Sequence, residues 1–575
     1  EIWMLFRRFA VAAIAWLAFA STASAQFNPN FWAPLDGSEE WIDDRNWSLG
    51  FIPDPTTWVV IGMSPPPKIE GTLDCGRIGI DGVTLTIDTK DGQPNRLNSS
   101  WSPIGTSIGT GGTVEVLGGI WAAGGAMYLD GILRVFSGGT LETSGIVAFG
   151  SNGGLATATV RGTGSSWDAT FGTSLRKWTI GGPGTGTGLL NVEQGATVRS
   201  AEVQIGGTGA TAGATAGDGE ASVTGLDSLW DISTALAVGY DGNGVLGIES
   251  GSIVRTVADV SIGARVLGRG DVDVLGDTSL LAVGTPTAGD LRVGVQGIGT
   301  LHIATGADAY SFGGTVGDRP FLDDFGDPIE NGTVTITGSG SLWDVREILW
   351  VGRNGNGAID VLDGGTLDVG NTLEIGGEDI GNITSTSDGG EGFVLVTGAG
   401  SRLVATDVLA GIDGMGVLDV ADGASAELTG DLYIGGNDRD AGNTAHSDGL
   451  VTARGGAALD LRDLYVGNAH EGELRITEAS SAESRNAEVG YQVGGLGKAL
   501  VLVSGPDTTW MTRYLDIGEI GPGRVEVADG GRVEIVSAPG TPGRTIVGEF
   551  GELLVTGPFS HFQGATVTVF GDLAV

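Results

Sequence analysis

The sequence offers few residues of the kinds that hold metals or form disulfides. Its 575 residues include a single cysteine, Cys75, and four histidines with no zinc-like spacing. An intramolecular disulfide therefore cannot form, and a Cys/His zinc site is not expected. We expect Cys75 to be a small buried residue, because free cysteines are among the most buried residue types. Stability must then come from packing and hydrogen bonds.

Positive charge is also scarce. The chain carries 30 Lys and Arg against 70 Asp and Glu, a formal net charge of −40. Because we find no basic patch, nucleic acids and anionic membranes should be repelled, and nucleic acid is excluded as a partner. Proline is limited to 18 residues beside 105 glycines, and charged residues make up 17%, which fits neither collagen nor a disordered chain.

The first 25 residues are predicted to be a signal peptide. Arg7 and Arg8 precede an apolar run at 9–20, and Ala25 ends a small-residue cleavage site. The run is shorter than the ~20 residues that a membrane-spanning helix needs, and no later segment replaces it. We therefore expect an exported protein with no transmembrane segment in the mature chain.

One repeat joins a β-branched residue and glycine to Ser or Thr and then to a large apolar residue. Its copies lie at 160–167, 223–230, 336–343, 396–403, 503–510 and 555–562. Four copies end in tryptophan, at Trp167, Trp230, Trp343 and Trp510. An exposed aromatic row would stack on sugars, but the fixed place beside Gly and Ser favours packing at a strand corner.

A second repeat, of the form "LxVGxxGxG", follows the first along the chain. Its copies lie at 236–251, 291–306, 349–364, 408–423 and 515–530. Short runs of alternating apolar residues between glycines predict strands joined by turns that need a positive φ. The turn glycines in these copies are Gly239, Gly294, Gly352, Gly411 and Gly518.

Strands this short are stable only if they stack on neighbours, which predicts an all-β, right-handed parallel β-helix. At about 18–20 residues per rung, the solenoid would have about 21–23 rungs. We expect a signal peptide at 1–25, an N-terminal cap with the first strands at 26–100, and the repeat β-helix at 101–575. A β-propeller, with antiparallel blades of about 40–50 residues, is the competing architecture.

Together, the blocks "VTGxGSxW" and "LxVGxxGxG" resemble glycine-rich repeats of two groups of exported proteins. These are the passenger domains of type V autotransporters and the proteins that carry a PEP-CTERM sorting signal. The resemblance extends over 160–562, and the segment 41–55 is similar to the "W…NW…P" opening that often precedes such repeats. It implies a β-helix located at the cell surface or outer membrane, or outside the cell.

The function expected from this reading is structural or adhesive, that of a rigid stalk, and not enzymatic. The positions that recur in the repeats hold Gly, Ser, Thr and apolar residues, and no residue type that usually acts in catalysis recurs among them. The alternatives are a polysaccharide-binding module and a β-helical polysaccharide lyase or hydrolase, which needs carboxylates roughly 5–10 Å apart or a metal with a basic residue. The expected partner is a surface ligand, either a glycan or a protein of a host or neighbouring cell.

Three longer insertions follow the same local sequence, after 205–207, 375–377 and 434–436, so we expect them on one side of the solenoid. Two of them carry clustered carboxylates. These are Glu378, Asp379, Asp388 and Glu391 in one, and Asp438, Asp440 and Asp448 in the other. Calcium binds six to eight oxygen ligands, so these residues are the candidate calcium ligands, with a solvated acidic edge as the alternative. We predict no other cofactor.

If calcium binds the acidic insertions, millimolar calcium should raise the melting temperature, because a ligand that binds only the folded state stabilises it. Replacing Asp438 and Asp440 by Asn should remove part of that gain. Thermal denaturation at low ionic strength, with and without calcium, is the measurement. An unchanged melting temperature would leave only the solvated acidic edge.

Overall fold

The structure is a computed structural model of the chain. It describes residues 30–32, 41, 52–54, 57–62, 67, 69–75, 77–90, 93–99, 106–151, 153–169, 177–182, 185–207, 216–319, 321–322, 328–377, 390–436, 448–467, 470–490, 498–538, 540–564, 566–570 and 572–574. Within these ranges there is no helix long and apolar enough to cross a membrane.

The chain coils into a parallel β-helix with three faces, and each complete rung contributes a strand segment to every face. This confirms the predicted fold. Each rung pairs in parallel with the next, as Asn243–Glu249 does with Arg269–Leu275. The antiparallel blades of a propeller are not seen in the described residues, where only Gln93–Pro94 and Phe321–Leu322 form short antiparallel pairs between strands.

The first face, the long face, holds many strands of six or seven residues. Its strands are Thr84–Lys90, Thr113–Leu117, Ile132–Phe136, Leu155–Arg161, Thr187–Glu193, Gly219–Thr224, Asn243–Glu249, Arg269–Leu275, Ile298–Ala304, Pro328–Thr337, Asn356–Leu362, Gly392–Thr397, Gly416–Ala421, Asp448–Arg454, Glu471–Thr477, Ala499–Ser504, Gly523–Ala528, Gly551–Val555 and Asp572–Ala574.

The second face, the tryptophan face, follows the long face in each rung. Its strands are Thr72–Cys75, Arg96–Ser99, Ile120–Ala123, Thr140–Thr143, Ser166–Asp168, Thr197–Ser200, Leu229–Ile232, Ile253–Thr256, Leu280–Val283, Asp308–Ser311, Leu342–Val345, Thr366–Ile375, Arg402–Ala410, Ser425–Leu428, Ala458–Asp460, Ser481–Glu483, Thr509–Thr512, Arg532–Ile535 and His561–Gln563. Thr366–Ile375 and Arg402–Ala410 continue into the third face.

The third face, the short face, closes each rung. Its other strands are Asn30–Phe31, Trp58–Ile61, Arg77–Ile80, Thr106–Ile108, Met127–Leu129, Val147–Phe149, Lys177–Ile180, Glu202–Ile205, Leu236–Val238, Val260–Ile262, Asp290–Val293, Gly313–Val316, Leu349–Val351, Asp431–Ile434, Asp463–Val466, Asn486–Val489, Tyr514–Ile517, Arg544–Val547 and Val567–Val569.

The core is a set of columns of inward-facing side chains, one above another along the axis. Because side chains alternate across a strand, every second residue points inward. On the long face Leu246 stacks beside Val272, and Ile248 beside Val274, all fully buried. Cys75 also lies in this core, and its burial raises the pKa of the thiol to about 12. The thiol is therefore uncharged at neutral pH.

The corner between the short and long faces, the glycine corner, brings two backbones into close contact. Gly352 has a φ of +72°, and a Cβ there would collide with the carbonyl oxygen of Glu391 in the next rung. At Gly357, where the long face begins, a Cβ would collide with the carbonyl oxygen of Val316 in the rung before. The five predicted turn glycines, Gly239, Gly294, Gly352, Gly411 and Gly518, have φ between +64° and +75°.

The corner between the long and tryptophan faces, the serine corner, is held by the Ser or Thr of the first repeat. Ser341, which is buried, donates from Oγ to the carbonyl of Thr337 at 2.8 Å and accepts from the amide of Gly306 in the previous rung at 3.0 Å. The same pair of hydrogen bonds, one within the turn and one to the previous rung, is formed by Ser228, Ser279, Ser401 and Ser560. One hydroxyl thus closes a turn and ties two rungs together.

The predicted rung length of 18–20 residues was wrong. Paired residues on the long face are 19 positions apart at Thr113 and Ile132, but 35 apart at Ala358 and Phe393, because corner segments differ in length. The long and tryptophan faces stack 19 strands each and the short face stacks 21. The count stays near the predicted 21–23, since strands before residue 101 are already stacked on later rungs.

Substitution of Gly352 by Val should lower the free energy of unfolding by at least about 2 kcal/mol, because the backbone is left-handed and the side chain meets Glu391. Gly247 is the matched control, since it lies on the outer side of a long-face strand and a Cβ there would be 3.8 Å from the nearest atom, Glu249 Oε1. Thermal denaturation of both variants checks the difference. Equal melting temperatures for Gly352→Val and Gly247→Val would contradict the corner geometry.

Candidate functional site

The four predicted structural tryptophans, Trp167, Trp230, Trp343 and Trp510, are completely buried. They do not form a continuous row along the tryptophan face. Between Trp230 and Trp343 the same column holds Val254, Leu281 and Ala309. Their rings therefore face the core and offer no surface to a sugar.

Each of these indoles donates from Nε1 to a hydroxyl in the previous rung. The bonds are Trp167 to Thr143 at 3.1 Å, Trp230 to Ser200 at 3.0 Å, Trp343 to Ser311 at 3.2 Å and Trp510 to Ser484 at 3.2 Å. The hydroxyl partners are themselves buried. The repeat pattern does not predict these hydroxyl partners, because they lie 24 to 32 residues before their tryptophans at a varying offset.

The candidate calcium ligands are described only in part. Glu391 and Asp448 are exposed and immediately precede the long-face positions Gly392 and Gly449, which are two rungs apart. Two rungs separate their backbones by roughly 10 Å. The remaining candidates, Glu378, Asp379, Asp388, Asp438 and Asp440, lie outside the described residues. In the described part of the chain, no three His, Cys, Asp or Glu side chains are grouped to hold a metal ion.

The flanks of the three insertions share one place in the rung. Ile205, Ile375 and Ile434 each end a short-face strand, and the next strand in each case belongs to the long face. Ile375 and Ile434 also stand in one register column, with Ala410 between them. The insertions therefore start from the same corner of the solenoid, the glycine corner.

Beside this corner the outer surface of the long face is hollowed into a slot of about 720 Å³. Its floor is one column of outward-facing residues from six consecutive strands. These are Val417, Leu450, Glu473, Leu500, Arg524 and Glu552. Five steps of about 4.8 Å make the floor ~24 Å long. The slot therefore runs along the helix axis.

One wall of the slot is formed by the residues that come just before the long-face strands or begin them. These are Met415, Asp448, Glu471, Lys498, Pro522 and Phe550. Met415 and Phe550 are exposed large hydrophobic side chains, at 38% and 55%. The slot thus combines three aliphatic floor residues, Val417, Leu450 and Leu500, with charged residues on both its floor and its edge.

Most charges on the slot floor are already paired. Arg524 lies 2.8 Å from Glu526 and 3.4 Å from Glu552, and Glu473 lies 2.7 Å from Arg475. Asp448 and Glu471 on the wall form no ion pair with any described residue. The unpaired carboxylates are therefore placed at the edge, where a ligand would approach.

A second group of titratable residues lies on the outer long face, nearer the N-terminus. His302 Nδ1 is 3.4 Å from Asp273 Oδ1, on the neighbouring strand. Burial raises the pKa of Asp271, the charge of Asp273 raises it further, and His302 opposes the shift. Burial likewise raises the pKa of Asp360. This pairing of His302 was not predicted, because its partner is set by rung register.

Comparison with known proteins does not assign the chain to a family. No protein-family model and no curated protein matches it. Three solved chains match, among them the crystal structure of a TibC-catalysed, hyper-glycosylated TibA fragment. That fragment has 12% sequence identity, with 88% of this chain and 97% of the fragment covered, and a TM-score of 0.15. A likeness at this TM-score carries no information about function.

The hydrogen bonds of the buried indoles should contribute to stability, and substitution of the tryptophans tests this. Trp343→Phe keeps an aromatic ring but leaves the Ser311 hydroxyl without its donor, whereas Trp121→Phe removes a buried Nε1 that has no partner among the described residues. We expect the Trp343 variant to lose about 1–3 kcal/mol more stability than the Trp121 variant. Denaturant titration of both proteins is the measurement, and equal losses would mean that the hydrogen bond contributes nothing.

Proposed function

We propose that the protein is exported and acts as a rigid, autotransporter-passenger-like stalk with an adhesive surface, at the cell surface or outside the cell. The observation that carries the proposal is the unbroken parallel pairing of strands on all three faces along the described chain. A solenoid built this way is a spacer by construction, because each rung contacts only its neighbours and the length grows with every rung. In this proposal the protein is not an enzyme.

Rigidity is supported at every level of the rung. Parallel ladders join neighbouring strands, the serine corner adds a side-chain bond between rungs, and the buried indoles add another. Satisfied buried networks of this kind fix one conformation, because an alternative packing would leave polar groups unpaired. The corners therefore hold the rungs in line along the axis.

Adhesion is supported by a difference in sequence variability between the inward-facing and outward-facing columns of residues. The inward columns repeat the same residue types, while the outward columns vary from Asp and Thr to Phe and Leu along one face. The acidic glycine corner and the slot lie next to each other on this variable surface. We propose that this region makes the contact with a glycan or protein on another surface.

The rod shape is the part of the proposal that scattering tests directly. Twenty steps of about 4.8 Å along the short face give a length of ~96 Å, and a rod of that length has a radius of gyration of at least ~28 Å. A compact chain of 575 residues would have a radius of gyration near ~25 Å. We expect small-angle X-ray scattering of the monomer to give the larger value with a rod-like cross-section.

The same measurement on the Gly352→Val variant provides an internal control. Disruption of one corner should broaden the rod cross-section without changing the mass of the monomer. A wild-type monomer near 25 Å with no rod-like region in its scattering would contradict the stalk, because a spacer must be longer than it is wide.

A further inference from the structure

We infer that the slot on the long face binds an extended polypeptide segment in which aliphatic residues alternate with Lys or Arg. The inference rests on the adhesive role proposed above and names the class of partner. The slot's floor residues Val417, Leu450 and Leu500 point outward from successive or nearby strands and are only half-buried. Apolar side chains exposed together in a concave surface mark a binding site.

The shape of the slot favours a linear ligand. The floor follows the helix axis from Val417 to Glu552, about 24 Å, which an extended peptide of about seven residues spans. Met415 and Phe550, near its two ends, are exposed side chains that would contact the terminal residues of such a segment. A compact small molecule would leave most of this length empty.

The charges favour a cationic ligand. Five carboxylates and two basic side chains line the slot, and the two basic groups are Lys498 and Arg524. Arg524 is already paired with Glu526 and Glu552, whereas Asp448 and Glu471 form no ion pair with any described residue. A ligand bearing Lys or Arg would pair with them, while a second copy of this chain, at −40, would be repelled.

The floor distinguishes a peptide from a glycan. Among the described lining residues Phe550 is the only aromatic one, and it lies at the wall and not on the floor. The three aliphatic residues of the floor, Val417, Leu450 and Leu500, therefore offer methyl groups to aliphatic side chains, and the floor has no aromatic face for a sugar ring to stack on. Peptide is the occupant that both the floor and the edge favour.

The probe for the test is a fluorescein-labelled peptide of alternating leucine and lysine, about seven residues long. Fluorescence anisotropy with wild-type protein should show saturable binding that weakens as salt is added. Leu450→Gln combined with Leu500→Gln should weaken binding at least about tenfold. Val245→Gln is the matched control, because Val245 occupies the same outward column of the long face, well outside the slot.

A second pair of variants tests the charged edge. Asp448→Asn with Glu471→Gln should weaken binding several-fold, whereas Glu220→Gln with Glu249→Gln, which removes the same charge from the same face, should not. Unchanged melting temperatures show that each variant is folded. If both pairs weaken binding equally, the peptide is attracted only by the overall charge, and the slot assignment is wrong.

Two further outcomes would also overturn the inference. The neutral glucan maltoheptaose is the competitor. If it displaces the peptide from the wild-type protein, and if the variant that combines Leu450→Gln with Leu500→Gln no longer binds it, the slot is a glycan site. Absence of saturable peptide binding would remove the slot as a peptide site. Scattering on the same samples separates this from the stalk proposal, because rod-like scattering without peptide binding leaves the stalk intact.

Discussion

The close contact of two backbones at the glycine corner is the constraint on which the whole solenoid depends. One register column runs through the 14 long-face strands from Thr187–Glu193 to Gly551–Val555, at the position of Gly357. It holds glycine in every strand but one, where Ala499 stands. At Gly357, Gly392 and Gly416 of this column, a Cβ would collide with the backbone of the rung before. Because rungs stack in register, one wide corner would misalign the rungs on both sides of it.

Elsewhere in the rung, side chains and not close backbone contacts hold neighbouring rungs in line. At the serine corner a buried hydroxyl such as that of Ser341 bonds to its own turn and to the rung before. On the tryptophan face buried indoles fill part of the core, and Gly314 on the short face leaves room for Trp343. Packing at close density thus couples residues in different faces, since a large side chain in one rung requires a small one nearby.

These couplings explain what the sequence could predict. The fold, the turn glycines and the tryptophans recur as residue types in the repeats, so periodicity is enough to find them. The partners Ser200 and Ser311 are not found that way, because each lies one rung back at an offset of 30 or 32 residues. The slot is still less visible, since Val417 and Leu450 become neighbours only after corner segments of unequal length are folded.

The separation between interior and exterior also explains how such a scaffold acquires binding sites. Inward positions are constrained by rungs above and below, whereas an outward position in the same strand changes with little effect on packing. One outward column therefore passes from Asp271 and Thr300 to Phe393 and Val417 without altering the register beneath it. A few apolar residues brought together in that column make a slot, while the glycine corner keeps the strands beneath them fixed.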